Sequence, residues 1–238
     1  MNEQPIPECI KLDKPNPLDT RPRSVAVIGL GPSCKEFLAE KARKNNPVHY
    51  DEVWGINTTH RSIKCDKIWT MDDLAKMEQN YPDWANELKL EETPIITCRT
   101  HPDYPNAYAY PLDDVTTRFK DNYFTTTVAY IVAYAAYIGV EDLYLFGLDF
   151  YYPNAMVVES GMGCVAYWLG IARENGVHFK IPSSSTLLDS NMTEIREENG
   201  KMVPHRILYG YDYNPQDANR KVSRGTASET EKEIASWS

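Results

Sequence analysis

Short apolar runs alternate with stretches of helical spacing across residues 24–182, and nothing else in the chain limits its fold as tightly. The runs fall at 24–29, 51–57, 66–71, 94–98, 142–147 and 178–181. Strands that read as continuous apolar runs belong to sheets covered on both faces, and strands joined through helices run parallel. Helical spacing occupies 34–44, 74–90 with a break at Pro82, 126–138 closed by Gly139, and 161–175 ended by Gly176. The pattern predicts an α/β domain with a mostly parallel sheet and helices on both faces.

The flanks read differently. Pro5, Pro7, Pro15, Pro17 and Pro22 make 1–23 an irregular lead-in, because proline removes ladder donors. Residues 99–123 are rich in Tyr and Pro and predict a long connection holding at most a short strand and a helical turn. Residues 191–213 suggest a β-hairpin turning at Asn199-Gly200, and 214–238 a charged, loose or docking tail. At 42% hydrophobic, 238 residues suffice for one sizeable core, so 24–190 is read as a single Rossmann-like nucleotide-binding domain.

A net charge of −9 removes any general attraction to phosphate backbones or anionic lipid surfaces. Neither membrane association nor strong nucleic-acid binding is expected. Cys9, Cys34, Cys65, Cys98 and Cys164 are scattered, without a CxxC pair or Cys/His metal spacing, which fits reduced thiols in a cytoplasm. The first residues carry no apolar signal-peptide core. Residues 122–140 are uncharged and long enough to span a bilayer, but Asn122, the threonines at 125–127 and several tyrosines favour a buried core helix.

In open α/β sheets, ligands bind outside the carboxyl ends of the strands. Gly29, Gly31, Pro32 and Ser33 follow the first run, Asn57 ends the second, Asp72 and Asp73 follow the third, and Asp149, Tyr151 and Tyr152 follow the run at 142–147. The two glycines would let the backbone approach a phosphate. The N-terminus of the helix at 34–44 would supply free N–H groups and the positive end of a dipole. The same residues also make an ordinary strand-to-helix turn, since neither G-x-G-x-x-G nor a Walker A loop is complete. Thr125, Thr126 and Thr127 open the helix at 126–138; one hydroxyl serves as cap, and the others suit a phosphate or ribose. Glu159 stands just before the helix expected from Gly161. No histidine has ligand spacing and no Gly-x-Ser-x-Gly turn marks a hydrolase. No cofactor is obligatory; if a metal binds, Asp72 and Asp73 are placed for Mg²⁺.

Together these blocks resemble a superfamily that joins the family-42 sialyltransferases of bacterial pathogens to archaeal 6-hydroxymethylpterin pyrophosphokinase-like proteins, with phage-encoded relatives. The sialyltransferases open with a strand and a Gly-Asn-Gly-Pro-Ser turn, here Gly29-Leu30-Gly31-Pro32-Ser33. Their nucleotide-contacting asparagine is similar to Asn57, and their polar residue near the sugar-phosphate to Asp72. Their Thr-Ser-Gly helix start falls on Thr125-Thr126-Thr127, and their Gly-Ile-Asp-Phe-Tyr block on Gly147-Leu148-Asp149-Phe150-Tyr151. The resemblance covers about 24–188. The chain departs from it at Leu30, which replaces the loop asparagine, and at the family's catalytic histidine, whose place is taken by about Glu159.

The resemblance implies a cytoplasmic transferase, in a bacterial, archaeal or phage-infected cell, that uses a nucleotide-activated sugar. Tyr151, with Tyr152, would hold the departing phosphate, and Glu159 would act as base if buried, with Asp149 beside them. The acceptor, whether glycan, metabolite or modified base, is not legible, and oligomerisation is possible. Two alternatives stand beside this reading. One is diphosphate transfer from ATP to a hydroxymethyl acceptor with Mg²⁺; the other is a nucleotide-binding module without turnover.

Overall fold

The computed structural model describes residues 16–43, 48–151, 154–190 and 193–206. Its strands β1 (Ser24–Ile28), β2 (Glu52–Ile56), β3 (Lys67–Trp69), β4 (Ile95–Thr97), β5 (Ala107–Ala109), β6 (Asp142–Phe146) and β7 (His178–Lys180) form one sheet, ordered β5-β4-β3-β2-β1-β6-β7. Every neighbouring pair is parallel. From β1 the chain winds outward through β2 to β5, then returns to the other side of β1 as β6 and β7. The winding direction therefore reverses between β1 and β6, and that reversal opens a crevice at their carboxyl ends.

Helices α1 (Cys34–Lys41), α2 (Leu74–Asn80), α3 (Pro82–Leu90), α4 (Leu112–Phe119), α5 (Thr127–Ile138) and α6 (Ala155–Glu174) make the crossovers. Successive strand side chains point to opposite faces, and the buried clusters separate accordingly. Val25, Val27, Trp54, Trp69, Ile96, Leu143 and Leu145 face α5 and α6. Ala26, Ile28, Val53 and Phe146 face α1 through Cys34 and Phe37, while Ile68 and Ile95 face α2 and α3. Helix α5 is buried nearly all round, which is why its sequence is apolar on every side. Trp54, Trp69 and Tyr134 of α5 pack as tilted rings with centroids 5.2 to 5.9 Å apart.

The amino ends of the strands are closed by paired polar groups. Asp51 Oδ2 accepts from the backbone N–H groups of Arg23 and Ser24 at 2.8 and 2.9 Å. Lys67, 2% exposed, pairs with Glu52 and lies 2.9 Å from Thr20 Oγ1. Glu52 also accepts from Trp54 Nε1, and Tyr134 donates to Leu18 O at 2.8 Å.

Two expectations for the flanks need adjustment. The connection at 99–123 holds more order than its lack of periodicity suggests, because β5 adds an edge strand to the sheet and α4 runs for eight residues. Helix α6 begins at Ala155 rather than near Gly161, since Asn154 Oδ1 caps it by accepting from Met156 and Val157 N–H. The hairpin is present as β8 (Thr193–Glu198) and β9 (Lys201–Arg206), with Asn199 and Gly200 at φ 52° and 74°. Those signs match a type I′ turn. Residues 1–15 of the lead-in and the tail at 214–238 lie outside the described residues.

Candidate functional site

Two turns meet at the point where the strand order reverses. After β1, Gly29 N–H donates to Phe146 O and Gly31 N–H to Gly147 O, both at 2.8 Å. Ser33 N–H donates to Asp149 Oδ2 at 2.8 Å, and Gly147 N–H donates back to Ser33 Oγ at 2.9 Å. The backbones approach so closely that a Cβ on Gly31 would lie 2.4 Å from Asp149 Oδ2 and 2.8 Å from Gly147 O. Gly147 has φ 67° and faces Gly29 O, which a Cβ would reach at 2.1 Å. Glycine is required at both places. Thr186 Oγ1, beyond β7, holds Asp149 O from the other side.

This clasp revises one expectation. The first N–H groups of α1 are occupied, Ser33 by Asp149 and Cys34, Lys35 and Glu36 by Gly31, Pro32 and Ser33 carbonyls. Ser33 is fully buried. The α1 terminus thus anchors the turn instead of offering free donors to a phosphate, and Asp149 and Ser33 act on the geometry of the cleft rather than on its surface. Cys34 beneath them stays a thiol, because burial first and the Asp149 charge second push its pKa up to about 12.

Asn57 begins the 3₁₀ turn Asn57–Arg61 after β2, at φ 52°. Asparagine tolerates this left-handed conformation better than most residues. Its carbonyl lies 2.9 Å from His60 Nδ1, and Thr59 Oγ1 spans to Ile56 O at 2.7 Å and Ile28 O at 3.2 Å. Those bonds fix the turn, yet the side-chain Oδ1 of Asn57 is buried with no hydrogen-bond partner.

Between these elements lies a cleft of about 200 Å³. Its walls are Gly29, Leu30 and Gly31 after β1, Ile56, Asn57 and Thr58 after β2, Gly147, Leu148, Phe150 and Tyr151 after β6, and Val128 of α5. The expected residues Gly29, Gly31, Asn57 and Tyr151 are therefore gathered in one place. Phe150 adopts φ 52°, a strained conformation for an aromatic residue, where the chain turns away beneath the cleft. Ligand-sized pockets usually enclose about 300–1,000 Å³, so this cleft is smaller than most of them.

No protein-family model matches the chain, and no curated protein matches it. Solved structures do resemble it. The sialyltransferase CstII from Campylobacter jejuni, in complex with the substrate analogue CMP-3FNeuAc, shares 18% identity over 89% of this chain and 98% of that one, with a TM-score of 0.45. CstII in complex with cytidine-5'-monophosphate shares 16% over 90% and 99%, also at 0.45. The alpha-2,3-sialyltransferase from Campylobacter jejuni in apo form shares 15% over 90% and 94%, at 0.41.

Other expected residues stand apart from the cleft walls. Thr126 Oγ1 caps α5 by accepting from Val128 N–H at 3.3 Å, and Thr125 Oγ1 donates to Ser160 O at 3.3 Å. Thr127 opens the helix, but Val128 is the residue of this turn that reaches the cleft. Asp72 is exposed beyond β3 and accepts from Thr70 Oγ1 at 3.3 Å. Asp73 caps α2 through Ala75 N–H and lies 3.7 Å from Arg99, so this pair is not a gathered metal site. Glu159 lies within α6, exposed, because the helix starts earlier than its apolar spacing suggests. Tyr152 falls outside the described residues.

Sequence reasoning overlooked Ile56, Thr58, Val128 and Leu148 as wall residues. Thr58 had a signal, being polar and next to Asn57 at a strand end; the aliphatic residues had none. Chemically the cleft offers apolar surface for a flat ring, an unfilled acceptor at Asn57, and a phenol at Tyr151. Among the described residues lining it, none carries a formal charge at neutral pH.

Proposed function

We propose that the chain is a transferase that binds a nucleotide-activated sugar in the switch-point cleft and passes the sugar to an acceptor oxygen. The observation that carries this reading is the buried, partnerless Asn57 Oδ1 in the wall of a largely apolar cleft. An amide oxygen left unpaired in a folded protein costs about 1–3 kcal/mol, which a bound donor such as a base amino group or ribose hydroxyl would recover. Leu30, Ile56, Val128 and Leu148 supply faces for a base and ribose. Tyr151 donates to the leaving phosphate. A neutral cleft suits one phosphate better than a triphosphate, whose charge demands cations when desolvated.

The test is a thermal-shift panel of CMP, UDP, their sugars, and ATP with and without Mg²⁺. Stabilisation by a nucleoside phosphate or its sugar without metal supports the proposal, and stabilisation by ATP with Mg²⁺ alone overturns it.

One observation favours a second reading. No histidine or carboxylate is among the described residues lining the cleft, and Glu159 is exposed on α6. A binding module without turnover fits that arrangement. Product formation measured with the wild type and Glu159→Gln separates the two. A variant that keeps nucleotide binding and loses product assigns Glu159 as base, whereas no product from the wild type with any donor selects the module.

A further inference from the structure

After β7 the chain returns to the switch point. Ser184 N–H and Oγ donate to Glu36 Oε1, in the first turn of α1, at 3.0 and 2.6 Å. Leu187 is fully buried in the core against α5 and α6, and its N–H donates to the buried Ser185 Oγ at 3.2 Å. Leu188 and Asp189 are both left-handed, at φ 51° and 52°. Asp189 N–H donates back to Thr186 O at 3.0 Å, and Ser190 N–H to Leu187 O at 3.2 Å. Residues 184–190 therefore form a brace, tied to α1 at one end and to the core at the other. Thr186 stands between those anchors, and its Oγ1 donates to Asp149 O.

The place of that carbonyl in the chain matters. A peptide unit is planar, so holding Asp149 O also holds Phe150 N–H and the bond about which φ of Phe150 turns. Phe150 sits at φ 52°, which a bulky residue keeps only where its surroundings over-determine it. A second contact acts on its ring. A Cβ on Gly161 of α6 would lie 2.6 Å from Phe150 Cε1 and 3.1 Å from Cδ1, so the ring is seated on the helix with no space for a methyl group. The carbonyl before Phe150 and the ring of Phe150 are thus held by two different elements. Tyr151 is the next residue and lines the cleft. Relaxation of Phe150 to negative φ would turn the backbone and carry the Tyr151 phenol away from that wall.

We propose that Thr186 and Gly161 are positioning residues for Tyr151, keeping Phe150 left-handed so that the phenol is presented to the phosphate of a bound nucleotide. Neither residue is among the cleft walls, and both act through Phe150. The left-handed pair at 188–189 belongs to the same device, because the turn it makes closes on the Thr186 carbonyl. This role rests on the proposed function, in which Tyr151 donates to the leaving phosphate, whereas the orientation of the phenol can be observed without any ligand.

The test places 3-fluorotyrosine at position 151 of the full chain and follows its ¹⁹F resonance without ligand. One narrow line is expected in the wild type. Thr186→Val keeps the shape and loses the hydroxyl, and Gly161→Ala displaces the ring; each should broaden, split or move the line. Thr186→Ser restores the donor and should restore the line. Calorimetry on the unlabelled proteins then compares CMP with cytidine and UMP with uridine. Both disruptive variants should weaken the nucleotides about 10-fold and leave the nucleosides unchanged, a split that general destabilisation would not produce. Should Thr186→Val fail to fold, Gly161→Ala carries the same test. An unchanged ¹⁹F line in a folded variant, or equal losses for nucleotide and nucleoside, overturns the proposal. If the line responds as expected and the wild type binds no nucleotide, the positioning of Tyr151 stands and the proposed function falls.

Discussion

The two ends of the same strands are built to opposite specifications. At the amino ends, Asp51, Glu52, Lys67 and Tyr134 are each hydrogen-bonded or ion-paired. At the carboxyl ends of those strands, Asn57, Gly147 and Phe150 all have positive φ, and Asn57 Oδ1 and Asp149 Oδ1 are buried without partners. Strain and unmet polar groups persist where surrounding structure holds them, and they gather at sites that await a ligand. One end stabilises the sheet. The other carries positive-φ residues and unpartnered polar atoms, which the proposed nucleotide would meet.

That contrast can be broken by substitution. Glu52→Gln leaves the buried Lys67 ammonium without its counter-charge and is expected to cost about 3–5 kcal/mol in urea unfolding. Ligand affinity should stay unchanged in the folded fraction. Gly147→Ala adds a Cβ beside Gly29 O at an unfavourable φ and should cost about 2–4 kcal/mol. Unlike Glu52→Gln it should also abolish nucleotide binding, measured by calorimetry. If both variants weaken binding equally, the two ends are not functionally distinct.

Smaller effects sharpen the comparison. Asn57→Gly suits the left-handed backbone and deletes the unpaired amide oxygen, so stability should not fall, while nucleotide affinity should drop about 10-fold. A stability loss with no change in affinity would assign Asn57 to the turn alone. The smallest effect concerns acid. Backbone N–H groups of Ser24, then Arg23, hold the Asp51 carboxyl below its ordinary range. Its contribution is therefore present at neutral pH and is lost as pH falls through the lowered value. Asp51→Asn should flatten the acid limb of a stability-versus-pH curve slightly, and an unaltered limb would remove Asp51 from that edge's account.

The sheet was legible because each central strand is an uninterrupted apolar run bounded by a glycine or polar residue, as in 24–29 and 142–147. The edge strand β5 was not, since Ala107–Ala109 is three residues long and only one of its residues is buried. Helix α6 started early because a single Asn154 side chain satisfies two N–H groups, a contact that leaves no periodic trace. Within the site, glycines and Asn57 could be placed from strand ends alone. The tie between Ser33 and Asp149 could not, because its partners are separated by 116 positions.

The reciprocal bonds between the β1 and β6 turns have an evolutionary corollary. Because each turn is the other's template, neither can gain or lose a residue unless its partner changes in the same step. Descendants of this chain should vary in length at the β4–β5 connection, while the spacing from Gly29 to Ser33 and from Gly147 to Asp149 stays constant. Under the proposed function, new substrate preferences would then arise by exchanging Leu30 or Leu148, which line the cleft beside those fixed spacings.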